Sequence, residues 1–90
     1  MSLNPNISAL IAENNIDEAL AEMEKYVESH PGDAEALFEQ GKLYWRLGMR
    51  SKAVSSYARA AEIDPEGPAS TALEQARDIE DFFNPDLLNP

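Results

Sequence analysis

The fold is decided by residues 34–67, which read AEALFEQGKLYWRLGMRSKAVSSYARAAEIDPEG. Apolar residues recur at three- and four-residue spacing on both sides of Gly48, and this pattern predicts amphipathic helices. We expect one helix over about 34–47 and a second over about 50–63. Asp33 suits the N-cap of the first helix, and Gly48 suits a left-handed end to it. The stretch therefore predicts two helices joined by a tight turn.

The chain repeats itself with a period of 34 residues. A shift by that number aligns Pro31 with Pro65, Ala19 with Ala53, Met23 with Tyr57 and Asn14 with Gly48. This period in paired helices is the signature of the tetratricopeptide repeat, and residues 34–67 resemble that family in residue type too. The family's order of a large apolar residue, glycine, tyrosine, alanine, an aromatic residue, alanine and proline is matched by Leu37, Gly41, Tyr44, Ala53, Tyr57, Ala60 and Pro65.

The resemblance implies an all-α fold, a right-handed superhelix of antiparallel helix pairs with about five helices. We expect a single domain over residues 1–83. Within it, residues 3–33 are similar to a degenerate first repeat, with helices over about 6–13 and 17–29. Ile7 departs from the pattern because it stands where a small residue is expected.

The end of the chain is similar to a capping helix over residues 68–83, followed by an apolar Asn-Pro tail over 84–90. The apolar stripe of that helix fits best with one residue inserted after Pro65, which would put Ala76 in the place of Gly41. Two repeats and a cap are few, because about three repeats are normally needed for stability. We therefore expect the tail to dock on its own domain or in a neighbour's groove, with a frayed terminus as the alternative.

Charge is unevenly distributed over a chain whose net charge is −10. Residues 1–33 carry −6 and residues 62–90 carry −7, whereas residues 34–61 carry +3. A strongly acidic chain repels phosphate, so nucleic acid is not an expected partner. The basic centre favours an acidic peptide or head-to-tail association of copies. Solvated helix faces would explain the same pattern.

Groups that carry chemistry are scarce in this sequence. It contains no cysteine and one histidine, His30, which lies beside Pro31 in a helix break. It also lacks a glycine-rich phosphate loop, and its carboxylates are predicted on helix faces. We expect no catalytic residue, no metal and no cofactor. The sequence shows neither a signal peptide nor an apolar run of about 18 residues, so we expect a cytoplasmic protein without membrane contact.

A candidate binding face follows from the resemblance, which implies that the first helix of each repeat lines a concave groove. On the third helix this face comprises Glu35, Phe38, Lys42, Trp45 and Arg46. Helical spacing independently puts the last four of these on one face. We expect Ile11 of the first helix, and Leu73 and Arg77 of the fifth, to flank the groove.

Two aromatic rings beside two cations suit an acidic-apolar peptide, because aromatic residues and arginine are enriched at binding hot spots. The alternative is that Phe38 and Trp45 only pack against neighbouring helices. The sequence thus favours a module or adaptor that binds a protein or peptide, rather than an enzyme. The other hypothesis is a self-associating structural protein, such as a homodimer, with the tail 84–90 in a groove.

Overall fold

The computed structural model describes residues 5–83, and for residues 79–83 it describes the backbone alone. This part of the chain forms five helices and contains no strand. In chain order they are α1 (Pro5–Ala12), α2 (Ile16–Ser29), α3 (Ala34–Arg46), α4 (Arg50–Ile63) and α5 (Pro68–Phe83). The predicted all-α class is confirmed, with helix ends that differ from expectation by one residue at most. The predicted docking of the tail 84–90 lies outside the described residues.

The 34-residue period reappears in the backbone hydrogen bonds that end α1 and α3. Gly48 N–H donates to the carbonyl of Trp45, and Met49 N–H to that of Tyr44. Thirty-four residues earlier, the N–H groups of Asn14 and Asn15 donate to the equivalent carbonyls of Ile11 and Leu10. This is the Schellman arrangement, which requires a left-handed residue after the helix. Gly48 has φ +79° and Asn14 has φ +64°, and asparagine is among the few residue types that tolerate this region.

One carboxylate bonds to both helices at the corner between α2 and α3. Asp33 Oδ1 accepts a hydrogen bond from the backbone N–H of Ala36 (3.0 Å), which confirms the predicted N-cap. Its other oxygen accepts from the Tyr26 hydroxyl of α2 (2.9 Å), and the Tyr26 ring stacks on His30 with centroids 4.3 Å apart. One oxygen of Asp33 thus bonds α3 and the other bonds α2, so the carboxylate links the two helices at this corner.

A close approach of α3 and α4 occurs at Gly41. A Cβ at this position would lie 2.5 Å from Tyr57 Cε1, so the absence of a side chain makes room for the buried Tyr57 ring. The equivalent positions in the first repeat are Ile7 and Met23, both buried in the core. A larger residue at position 7 is thus matched by a slimmer one at position 23. This exchange of volume gives a physical reason for the departure of Ile7 from the family pattern.

Buried polar groups also join the helices. Ser56 Oγ of α4 donates a hydrogen bond to Gln40 Oε1 of α3 (3.2 Å), and both side chains are buried. The Tyr44 hydroxyl of α3 donates to Glu24 Oε2 of α2 (2.8 Å). Burial is the first cause that raises the pKa of Tyr44 to about 12, and the hydrogen bond to the Glu24 carboxylate is the second. A phenol that keeps its proton therefore links the two repeats.

Substitution of Gly41 by alanine tests the close approach of α3 and α4. We expect Gly41→Ala to lower the free energy of unfolding by about 1–2 kcal/mol. The added methyl group must displace the Tyr57 ring, and this costs more free energy than the higher helix propensity of alanine contributes. In a Tyr57→Met background the same substitution should not destabilise the fold. Urea denaturation followed by circular dichroism measures both values.

Gly32→Ala is the matched control. No atom lies within 4 Å of a Cβ at position 32, so its effect should stay within about 0.5 kcal/mol. Equal effects of the two glycine substitutions would contradict the packing argument.

The raised pKa of Tyr44 predicts a loss of stability in alkali. Below its ordinary value of 10.0, the phenol is protonated in both the folded and the unfolded chain. Above that pH the unfolded chain releases the proton first, so the free energy of unfolding should fall as pH rises from 10.0 to about 12. Tyr44→Phe should reduce this slope. Urea denaturation across the range measures it, and an unchanged slope in the variant would show that Tyr44 ionises as freely as in the unfolded chain.

Candidate functional site

The predicted face of α3 combines half-buried rings with exposed charges. Phe38 and Trp45 are each partly buried, whereas Lys42 and Arg46 are exposed. The Phe38 ring lies 5.8 Å from the Tyr57 ring of α4, centroid to centroid. Phe38 therefore packs against the core and still presents part of its surface, so packing and binding are compatible for this residue.

A cavity of about 390 Å³ opens between α1 and α3, and we call it the central cavity. It is lined by Ile11, Glu39, Lys42, Leu43, Trp45, Arg46 and Tyr57. Four of the residues predicted from the sequence thus meet around one space. Its walls are mainly apolar and aromatic, with charged groups among them, which is a common composition for a binding pocket.

A second cavity of about 360 Å³, the acidic cavity, lies where α3 begins, α4 ends and α5 begins. Its lining residues are Ala34, Glu35, Phe38, Glu39, Ala60, Asp64, Gly67, Pro68 and Ala69. The three charged residues among them are all acids. A smaller cavity of about 140 Å³ adjoins the central cavity through Trp45 and Tyr57 and extends to α5 at Ala72, Gln75 and Ala76.

Lys42 stands between the central and acidic cavities. Its Nζ lies 3.1 Å from Glu39 Oε2 and 5.1 Å from the centroid of the Phe38 ring. An exposed ion pair of this kind contributes little to stability, up to about 1 kcal/mol. Its geometry nevertheless holds the ammonium group over an aromatic face. Burial, followed by the Glu39 carboxylate, raises the pKa of Tyr57 and keeps its phenol neutral.

Positive charge gathers around Trp45 at the other end of the face. The Arg50 guanidinium lies 5.3 Å from the centroid of the Trp45 ring. Arg46 Nη2 donates to Asn14 Oδ1 (3.4 Å), so it contacts a neutral amide of the turn after α1. Both arginines are exposed; Arg46 lines the central cavity, and Arg50 adjoins it through its contact with Trp45.

The structure does not bring all predicted residues together. Ile11, Lys42, Trp45 and Arg46 share the central cavity, whereas Glu35 and Phe38 line the acidic cavity. Leu73 and Arg77 of α5 line none of the three cavities described here.

Sequence reasoning missed several lining residues. Glu39 is absent from the predicted face. It lies four residues after Glu35 and three before Lys42, and that helical spacing is a signal by which it could have been included. In the sequence, Tyr57 stands out only as the aromatic residue of the repeat pattern. The residues of the turn before α5, such as Asp64 and Gly67, gave no signal of a site.

Within residues 5–78, whose side chains are described, no group of three or more histidines or acids is arranged to hold a metal ion. No described helix has the length and apolar character needed to cross a membrane. The acidic cavity therefore concentrates negative charge without forming a ligand set.

Comparison with known proteins places this arrangement among helical repeats. The family model described as tetratricopeptide repeat matches residues 6–68, which is more than half of the chain. The solution NMR structure of the Bacteroides fragilis protein BF1650 is similar, with 34% sequence identity and a TM-score of 0.80. The similarity covers 99% of this chain and 91% of that one. No curated protein matches the chain.

Proposed function

This chain belongs to the tetratricopeptide-repeat family, and from that premise we propose that it binds a protein segment along the exposed face of α3. Repeats of this family generally mediate protein–protein interaction, and its members are generally non-enzymatic interaction modules. The role of an adaptor that recognises a peptide segment is the specific proposal.

The central cavity is the observation that carries the proposal. It brings Trp45 and Tyr57 together with Ile11, a residue from the other repeat, around about 390 Å³ of space. Aromatic residues in such a position supply a large contact area and lose little conformational freedom on binding. A partner side chain of apolar character would fill this space and touch both repeats at once.

Charge near the central cavity favours a partner with at least one acidic group. Lys42 and Arg46 line the cavity, and Arg50 lies over the Trp45 ring. In a chain of net charge −10, such a local group of cations directs an acidic group to this place, while the acidic remainder repels other anions. The proposed partner is therefore an acidic-apolar protein segment, and neither nucleic acid nor a membrane is part of the proposal.

Charge reversal on α3 tests the proposed groove. The variant Lys42→Glu/Arg46→Glu should lose a partner that the intact chain retains in a pull-down from host lysate. We expect at least a tenfold weaker affinity for the segment identified, because cations near the centre of an interface contribute about 2 kcal/mol or more. The fluorescence of Trp45, which is the single tryptophan, should change when that segment binds to the intact chain.

The matched control is Lys25→Glu/Arg59→Glu, which changes the net charge equally. Lys25 pairs with Glu22 at the same helical spacing at which Lys42 pairs with Glu39, but neither Lys25 nor Arg59 lines a cavity described above. Circular dichroism should show that both variants fold. Retention of the same partner by all three proteins, with no change in Trp45 fluorescence, would place the binding surface elsewhere.

A further inference from the structure

We propose that the face of α3 recognises a charge-ordered segment, extended along α3, with a basic residue at the acidic cavity and an acidic residue beside Trp45. This inference rests on the proposed function and specifies the chemistry of the partner. It also narrows the acidic-apolar description, because it confines the partner's acidic group to one end of the bound segment.

The negative pole of the face is built from two helices. Glu35 and Glu39 lie in the first half of α3, and Asp64 reaches the same cavity from the C-cap of α4. The dipole of α3 favours an acid in its first turn, which accounts for Glu35 whether or not a segment is bound. It does not apply to Asp64, which is the C-cap of α4 and belongs to the turn before α5. Glu35 and Asp64 thus bring negative charge to one cavity from two different helices, and Glu39, which also lines it, is paired with Lys42.

The positive pole lies at the opposite end of α3. Arg46 is the last residue of α3 and lines the central cavity with Trp45, and the Arg50 guanidinium lies over the Trp45 ring. Both arginines are exposed. Between the poles, Lys42 and Glu39 already pair with each other at 3.1 Å. The middle of the face is thus close to neutral and presents the Phe38 ring. The separation of negative from positive charge along α3 is therefore set mainly by the two poles.

The length of the face defines the spacing of charges in the partner. Glu35 and Arg46 are eleven residues apart on α3, which corresponds to roughly 16 Å along the helix axis. An extended chain covers that distance in about five residues. A bound segment would therefore place its basic and acidic residues about four to six positions apart, with apolar residues between them for Phe38 and the central cavity.

A segment that is acidic throughout would fit this face poorly. One end would meet Arg46 and Arg50, but the other end would face the carboxylates of Glu35 and Asp64 in the acidic cavity. Like charges placed opposite each other in an interface are strongly unfavourable and serve to exclude wrong partners. Charge order, rather than total charge, is the property that distinguishes a fitting segment.

Selection from a random peptide library tests this proposal with the intact chain. Displayed twelve-residue peptides would be selected on the wild type and sequenced. We expect enrichment of peptides with a lysine or arginine and an aspartate or glutamate about four to six positions apart, around an apolar centre. One order of the two charges should dominate, and it would reveal the direction in which the peptide runs along α3.

Charge exchange between the chain and a selected peptide assigns the acidic pole. Glu35→Lys/Asp64→Lys should weaken the binding of a wild-type-selected peptide at least tenfold, as measured by fluorescence anisotropy. Changing the basic residue of that peptide to glutamate should restore most of the affinity for this variant. The milder Glu35→Gln/Asp64→Asn should weaken binding without the reversed preference, and it replaces the lysine variant if that variant fails to fold.

The matched control is Glu28→Lys/Glu62→Lys, which changes two exposed acids outside the three cavities. This control should bind the original peptide within twofold of the wild type.

The outcomes separate this inference from the proposed function. Enriched peptides that are acidic throughout, or a Glu35/Asp64 variant that behaves like its control, would overturn the charge-ordered segment and leave the binding face in place. If peptides are enriched equally on the wild type and on Lys42→Glu/Arg46→Glu, or on neither, the proposed function itself is wrong.

Discussion

The close approach of α3 and α4 at Gly41 is the constraint on which the rest of the structure depends. Because position 41 has no side chain, the Tyr57 ring can lie directly against α3 at this point. There it contacts the Phe38 ring and lines both the central cavity and the small cavity. A contact that defines the fold of the second repeat thus also supplies a wall of the candidate site. Packing and site geometry cannot vary independently here.

The two repeats have the same backbone turns, but they differ in the residues that fill the close approach of their paired helices. The turns after α1 and α3 use equivalent hydrogen bonds and a left-handed residue at the same place, Asn14 in one and Gly48 in the other. The interiors differ because Ile7 and Met23 replace the pair Gly41 and Tyr57. The first repeat therefore has no tyrosine ring at this position, and the wall that Tyr57 supplies to the site has no counterpart in it.

The helices and their ends were predictable because the signals for them are local. Apolar spacing, Asp33 as a cap and Gly48 as a terminator each act within one or two turns of chain. The face of α3 was predictable for the same reason, since helical geometry alone puts Phe38 and Trp45 on one side. The cavities were not predictable in this way. They depend on where α1 and α5 lie relative to α3, and no spacing within a single helix determines that.

Asp64 and Glu39 have electrostatic roles that the sequence analysis did not assign to them. Asp64 reads as a turn residue before Pro65, and its second role arises only because the end of α4 lies beside the beginning of α3. Glu39 reads as one more exposed acid, yet it borders both cavities and pairs with Lys42. In both cases the local sequence explains the helix or the turn, and the tertiary arrangement adds the electrostatic role.

The net charge of this chain acts at long range and the local charges on α3 act at short range. The two effects favour different partners. At long range the net charge of −10 repels acidic proteins and slows their approach, an effect that salt screens beyond about 8–10 Å. At short range the arginines near Trp45 and the acids near Phe38 offer opposite charges on one face. A partner segment that carries both charges avoids most of the long-range repulsion and still meets a complementary group at each end. The net charge of a fitting segment can be close to zero. Selectivity in such a face therefore arises from where the charges lie along α3 and along the segment.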